Sequence, residues 1–396
     1  MTKFVWKRPA KSEIVIFDGF ATQGIISVMS EDSYSIFENR RSVLHIWALS
    51  HMLIRLRCSW LDYCVSYLSL SGARVVVTCI DSNPLFYRLK HHLPQVRFIA
   101  IQNGIRGTGS PVKGGDFWSA LAALRERPPH VDVVATFGAA HSEQYSAHIQ
   151  CITVEVGSTR SNSIPIQKKL NVSHPPRIAL ISNFSGLPHQ DIFPGGVASA
   201  TAMYLHEQSV AASDYFAADA RVANLISNIC SRNKWEFSIV GRRDQTFPHE
   251  QRFFADACAD NQFNFVVKHS ETSAYEYLDG VDLVVAIDST LGYEMIARAA
   301  RVLFISARAA LLSSEESRQF KFGFPGNYSE EGAFWTESLQ HSEIEQLMHS
   351  VLALSEDGWK SCSEFVTREL MIHDPDNKRF LDLLETSHDI GQGPSK

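Results

Sequence analysis

Nine short runs of aliphatic and β-branched residues recur along the chain, at residues 14–17, 75–80, 96–101, 131–137, 177–182, 237–240, 263–267, 283–287 and 302–305. They are nearly continuous in Val, Ile and Leu rather than alternating with polar residues. Strands covered on both faces need that pattern, so the runs predict parallel strands. Between them lie segments whose apolar residues recur at helical spacing, among them 41–57, 118–127, 218–232 and 249–260, which supply the crossovers. The rhythm predicts an α/β fold of doubly wound sheets.

The rhythm breaks once, between Gly157 and Pro176, where GSTRSNSIPIQKKLNVSHPP shows neither period and is rich in Ser, Asn and Pro. The expected division is a Rossmann-like domain over 1–160, a linker over 161–176, a second Rossmann-like domain over 177–340, and C-terminal helices over 341–396, with helix-like segments at 341–355 and 358–387. A length of 396 residues agrees with two cores rather than one. Two such halves are expected to face a central cleft at the carboxyl ends of their strands, where open α/β sheets bind ligands.

Composition narrows the function classes. A net charge of −6 gives no global basic field for nucleic acid, and none is expected as a partner. Seven cysteines form no CxxC pair and no zinc spacing, so they read as reduced thiols in a cytoplasmic protein. The first residues show no signal-peptide h-region, and no apolar run approaches the roughly 18 residues of a membrane span. Walker A, HExxH and GxSxG motifs are absent. The one clear D-x-D, Asp374-Pro375-Asp376, sits before a helix-like run and reads as a turn and helix start rather than a metal site. Neither a metal nor a cofactor is expected.

The most informative segment is VDLVVAIDSTLGYEMIARAARVLFI, residues 281–305. A buried strand ends at Ile287, a polar turn Asp288-Ser289-Thr290 follows, and a helix opens near Leu291 or Gly292. Unpaired N–H groups at such a helix start, with two hydroxyls beside them, suit phosphate oxygens. Gly292 would let a diphosphate approach the backbone closely. Glu294, about one turn further on, suits the two hydroxyls of a ribose. The same residues also fit a plain helix cap with a capping-box-like acid.

IDSTLGYE resembles the phosphate and ribose loop of nucleotide-sugar enzymes of the GT-B architecture, including the Asp-Ser-Gly-Gly-x-x-Glu loop of the UDP-N-acetylglucosamine 2-epimerases, with Thr290 and Leu291 standing where that loop has glycines. With VVVTCIDSNPLFYRL (75–89), FIAIQNGIRG (98–107), FGAAHSEQY (137–145), VGSTRSN (156–162), SIVGRRD (238–244) and FGFPGNYSEEGAFWT (322–336), the chain resembles the bacterial surface carbohydrate biosynthesis family, GT-B glycosyltransferases of polysaccharide loci. The resemblance implies a GT-B-like fold and transfer of a sugar from a nucleotide-sugar donor to a surface polysaccharide acceptor, a glycan or lipid-linked glycan of O-antigen or capsule type. A CMP-linked ulosonic acid such as Kdo is one donor it admits, beside UDP- and GDP-sugars. A nucleotide-sugar epimerase and a non-catalytic sugar-binding protein of the same architecture are the alternatives.

Other strand ends supply further candidates. Asp81, in Asp81-Ser82-Asn83 before Pro84, is a candidate general base or ligand of an acceptor hydroxyl, or else it or Ser82 caps the helix. Gln102, Asn103 and Arg106 are candidate acceptor ligands, the amides for sugar hydroxyls and Arg106 for a carboxylate or phosphate. In the second half Arg242 is the first candidate to offset phosphate charge, and His269 a second, catalytic one; Ser185 follows the first strand there and is a candidate donor contact. His141 and Tyr145 sit in FGAAHSEQY, expected to open a helix at the cleft edge, where they either meet a ligand or pack. The segment 39–57, with Arg40, Arg41, Arg55 and Arg57, is amphipathic, and either packs on the first sheet or rests on anionic headgroups at the inner face of the membrane.

Overall fold

A computed structural model describes residues 3–39, 43–107, 109–110, 116–124, 128–167, 175–184, 202–205, 208–244, 249–258, 261–270, 272–312 and 317–389. Its contacts divide the chain into two units: the first holds 1–104, 117–163 and 372–396, the second 105–116 and 164–371.

The first unit is built on a six-stranded parallel sheet. In chain order the strands of the first half are β1 (Lys3–Val5), β2 (Ile14–Phe17), β3 (Tyr34–Phe37), β4 (Val43–His45), β5 (Val75–Thr78), β6 (Arg97–Ile101), β7 (Gly109–Ser110), β8 (His130–Thr136) and β9 (Gln150–Glu155). The sheet order is β3-β2-β5-β6-β8-β9; β1 and β4 form a separate parallel pair, and β7 belongs to the second unit. Alternate residues of each central strand point to opposite faces. Val15, Phe17, Val76, Phe98 and Val134 pack against helices Trp60–Ser71, Pro84–Leu89, Phe117–Ala122 and Ala139–His148. On the other face Ile14, Ile16, Val77, Ile99 and Ile101 pack against Phe380, Leu383 and Leu384 of helix Lys378–Asp389.

That last contact corrects the expected grouping of the C-terminal helices. The segment expected to be one helix over 358–387 is broken: helix Glu356–Glu369 stays with the second unit, and the chain returns to the first at Ile372. Two buried asparagines fasten the return. Asn162 Nδ2 donates to the carbonyl of Val156 (2.8 Å) and to Asn377 Oδ1 (3.0 Å), and its Oδ1 accepts from Asp374 N (3.0 Å). Asn377 Nδ2 donates to the carbonyls of Gly24 (2.9 Å) and Thr159 (2.8 Å). Gly157, at φ +71°, leaves no room for a side chain, because a Cβ there would lie 2.2 Å from the carbonyl of Ile372. Asp374 accepts from Arg379 N (2.8 Å), so the D-x-D opens a helix.

The second unit adds β10 (Arg177–Ile181), β11 (Ala202–Leu205), β12 (Gln208–Ala211), β13 (Glu236–Asp244), β14 (Asn264–Lys268), β15 (Leu283–Ala286), β16 (Val302–Ile305), β17 (Glu331–Gly332) and β18 (Trp335–Thr336). The main sheet runs β14-β13-β10-β15-β16-β18-β17, parallel except for the β17–β18 hairpin, and β12-β11-β7 form a small antiparallel sheet. β13 continues through Arg242 to Asp244, beyond the end expected at Val240. The FGFPGNYSEEGAFWT stretch is an aromatic cluster in which Phe322 stacks on Trp335 (4.6 Å between centroids) and meets Phe334 edge-on (5.4 Å).

The expected linker does not hang free at its start. Arg298 forms a buried bidentate pair with Asp279 (3.1 and 2.5 Å) and donates to the carbonyls of Ile164 (2.8 Å) and Pro165 (3.2 Å), tying 164–165 to the second unit. The expected helix over 41–57 is also reapportioned. Residues 43–45 pair as β4 with β1, and the helix is Ile46–Ile54.

Candidate functional site

β10 is the strand from which the second unit's sheet is built outward in both directions, toward β13 and β14 on one side and β15 and β16 on the other. The topological switch therefore lies between β10 and β15, and the loops leaving those strands flank the expected ligand position. They are Ser182-Asn183-Phe184 and Ile287-Asp288-Ser289. Asn183 Nδ2 donates to Asp288 Oδ1 across the switch.

Ser289 is the N-cap of helix Thr290–Ala297, extended at φ −75°, ψ 133°, and its hydroxyl accepts from Leu291 N (3.3 Å). Thr290 Oγ1 accepts from the N–H of Ile105 (3.1 Å), which belongs to the same unit. Asp288, Ser289 and Thr290 are half-buried, as a surface turn that meets a ligand requires. One turn on, Glu294 is buried and its Oε2 accepts from Tyr275 OH (2.7 Å); the Arg298 guanidinium lies 5.5 Å from the Tyr275 ring.

Gly292 does not serve the purpose expected of it. A Cβ built there would lie 2.6 Å from Ala286 Cβ and 3.0 Å from the Phe304 ring, so the missing side chain lets the helix close on β15 and β16. It faces the core rather than a ligand.

Behind the turn is a charge cluster that sequence reasoning missed. The fully buried Arg308 guanidinium pairs with Asp288 Oδ2 (2.8 Å) and with Asp219, donates to the carbonyl of Tyr215 (3.1 Å), and lies 4.4 Å over the Tyr215 ring. One cation thus stands between two carboxylates. Burial pushes Asp219 up to about 6, against the pull of Arg308. An Arg in the run Ser306-Ala307-Arg308-Ala309-Ala310, just past a strand end, was the available signal. Arg242 is exposed at the carboxyl end of β13; its N–H donates to Glu250 Oε1 (2.7 Å), which also accepts from Ser182 Oγ (2.5 Å). β13 pairs with β10 in parallel, so Arg242 follows the same end of the sheet as the loops after β10 and β15.

The remaining candidates divide. His269 is exposed after β14, at the sheet edge, with β13 and β10 between it and β15, and its N–H donates to Ser273 Oγ (3.2 Å); the structure does not bring it to Ser289. Ser185 lies outside the described residues. In the first unit Asp81 is fully buried, accepting from Asn103 N (3.2 Å) through Oδ1 and from Tyr145 OH through Oδ2. A carboxylate with no exposed surface and both oxygens engaged cannot meet an incoming hydroxyl, so its expected role as general base is corrected to one of joining strand ends. Gln102 is likewise closed in: its amide accepts from Phe137 N (2.9 Å), and donates to the Gly104 carbonyl (3.2 Å) and to His141 Nδ1 (3.2 Å). Burial holds His141 down at about 3, a neutral imidazole in the core. Asn103 stays exposed, with Nδ2 donating to the Cys79 carbonyl (2.5 Å), while Arg106 is half-buried and groups with the second unit.

Residues 99–388 match the model of a family described as "putative O-antigen biosynthesis protein". No curated protein matches the sequence. Among solved structures, a protein of Listeria monocytogenes described as a "putative UDP-N-acetylglucosamine 2-epimerase" superposes with a TM-score of 0.52 at 9% identity, over 98% of this chain and 99% of that one. The wall teichoic acid polymerase TagF, in a structure with CDPG, superposes with a TM-score of 0.51 at 11% identity, over 96% of this chain and 90% of that one. At such identities the likeness is one of fold: two Rossmann-like domains of the GT-B kind.

Proposed function

The chain belongs to this O-antigen biosynthesis family, and on that footing we propose that it is a glycosyltransferase taking its sugar from a nucleotide-sugar donor. The second unit binds the donor. Its pyrophosphate rests on Ser289 and Thr290 at the start of helix Thr290–Ala297, where backbone N–H groups and the helix dipole favour negative charge. Arg242 offsets further phosphate charge. Glu294, oriented by Tyr275, takes the ribose hydroxyls. Arg308 is not a phosphate ligand, because its charge is already matched by Asp219 and Asp288; it holds the turn in place. The observation that carries the reading is a capped helix opening beside the β10/β15 switch, with a buried carboxylate one turn inside it.

The acceptor is a glycan or lipid-linked glycan of surface polysaccharide assembly, with Asn103 as a candidate ligand for its hydroxyls. Phosphate charge met by a helix start and an arginine needs no divalent ion, so turnover should survive chelation by EDTA. The donor nucleotide is read by thermal shift with CMP, UDP and GDP and their sugar conjugates, a CMP-linked ulosonic acid included. Glu294→Ala is expected to weaken binding of the stabilising nucleotide about ten-fold, the worth of one charge-assisted hydrogen bond pair. Unchanged affinity in a folded variant would remove the ribose assignment.

The Ser289-to-Glu294 spacing, shared with the epimerase loop, favours a second reading: epimerisation of the nucleotide sugar with no acceptor. Incubation with donor alone, followed by analysis of the released sugar, separates the two.

A further inference from the structure

We propose that one face of the first unit, formed by residues 3–8 and 47–57, docks on an anionic phospholipid surface. The inference goes beyond the donor reading and does not rest on it. Six of the ten large apolar side chains exposed among the described residues lie in these two segments: Phe4, Trp6, Trp47, Leu53, Ile54 and Leu56. Trp6 is 76% exposed, Ile54 81% and Leu56 92%, values with no counterpart elsewhere in that group. A folded chain leaves single apolar residues in water, but a cluster of this kind marks a contact surface.

The two segments are one piece of structure. β1 runs parallel to β4 with Phe4 opposite Leu44 and Val5 opposite His45. Trp47 Nε1 donates to the Trp6 carbonyl (2.9 Å), and the Arg8 guanidinium lies 4.4 Å over the Trp47 ring. Phe4 and Trp6, two residues apart on an extended chain, share a side. In helix Ile46–Ile54, Ala48 and Met52 face the core, while Trp47, Ser50 and Ile54 follow the i, i+3, i+7 line on the outer face. Two residues past the helix end, Leu56 is held at φ +54°, a conformation unfavourable for a leucine, and its side chain is exposed. The backbone there closes the helix, with Leu56 N donating to the Leu53 carbonyl (2.9 Å) and Arg57 N to that of Met52 (3.2 Å), a place usually held by glycine.

Charge selects the occupant. Residues 3–8 and 47–57 hold five of the 37 Lys and Arg and none of the 43 Asp and Glu, in a chain whose net charge is −6. Lys3, Lys7, Arg8, Arg55 and Arg57 are exposed beside the apolar side chains; Arg57 lies 3.7 Å from Asp62, which reduces its share. Basic residues around exposed Trp, Leu and Ile are what binding to an anionic bilayer requires, with apolar tips entering the acyl boundary and cations meeting headgroup phosphates. A second copy of the same face would set cation against cation. Nucleic acid would meet aliphatic Ile54 and Leu56 where it needs rings for stacking.

The test is cosedimentation of the full chain with phosphatidylcholine vesicles and with vesicles that also carry phosphatidylglycerol, at low and high salt. Binding is expected on the anionic vesicles, weaker on the neutral ones and weaker in salt, with a blue shift of Trp fluorescence as Trp6 leaves water. Ile54→Glu with Leu56→Glu, at positions too exposed to disturb the core, should cut the bound fraction about ten-fold, and Trp6→Ala by less. The nucleotide thermal shift, read on the same preparations, reports the donor site separately and should not move. No binding by the wild type, equal binding by the double variant, or a change confined to a monomer–dimer equilibrium in sedimentation velocity would each overturn the proposal.

Discussion

The tripeptide Ile-Asp-Ser ends a buried strand twice in this chain, at residues 80–82 after β5 and at 287–289 after β15, and each time a helix follows. The two copies do different things. In the first unit Asp81 is drawn wholly inside, its oxygens bonded to Asn103 N and Tyr145 OH, and the helix cap passes to Asn83, whose Oδ1 accepts from Leu85 N (3.0 Å). In the second unit Ser289 is itself the cap, and Asp288 stays half-buried between Asn183 and Arg308. The aspartate is fully buried in one turn and half-buried in the other, while the serine is half-buried in both. The neighbours supply the difference: a tyrosine and a backbone N–H absorb Asp81, whereas a buried arginine anchors Asp288 and leaves the cap free.

Breaking the closed turn should have the largest effect. Asp81→Ala leaves the Tyr145 hydroxyl and the Asn103 N–H without their acceptor in a buried place, and is expected to cost about 3 kcal/mol in chemical denaturation. Nucleotide affinity of the folded fraction should be unchanged. Loss of turnover at full stability would instead return Asp81 to catalysis. Gly292→Ala sharpens the contrast on the other side, since the added methyl must displace Ala286 or Phe304; overpacking should cost about 2 kcal/mol. A variant of normal stability that binds donor poorly would restore the role in phosphate approach.

A smaller effect concerns acid. The His141 imidazole is held at about 3 by burial, against about 6.5 for an exposed histidine. The unfolded chain takes up that proton below about pH 6.5 and the native chain does not. The stability tied to neutral His141 is therefore complete above that pH and is lost as pH falls toward about 3, by at most about 1.4 kcal/mol per pH unit. In urea titrations between pH 7 and 5 (about the range where the histidine charge changes), His141→Leu should lose less stability on acidification than the wild type. Parallel slopes would place the acid sensitivity elsewhere.

The central strands were legible because burial on both faces leaves an unbroken Val/Ile signature, as in VVVT and LVVA. The first unit's edge strands were not. β9 reads QCITVE and is exposed or half-buried throughout, so it carries polar residues that a core strand would not. Helix Lys378–Asp389 has a plain amphipathic pattern, but no local pattern says which sheet an apolar stripe covers. At the candidate site, the Ser289 cap and the helix behind it were readable from neighbours in sequence. The set of Asn183, Asp219, Asp288 and Arg308 was not, because it joins four separate elements. Gly292 shows the remaining limit: glycine signals a close approach without saying from which side, and here the approach comes from Phe304.

The asparagine clasp at 162 and 377 has a consequence for how the molecule comes into being. A ribosome finishes the first unit's strands long before it makes residues 378–389, so Ile16, Val77, Ile99 and Ile101 emerge on a nascent chain with their cover still untranslated. A fragment cut at residue 163 should be rescued by a synthetic peptide of the last 25 residues far better than by any change of solvent.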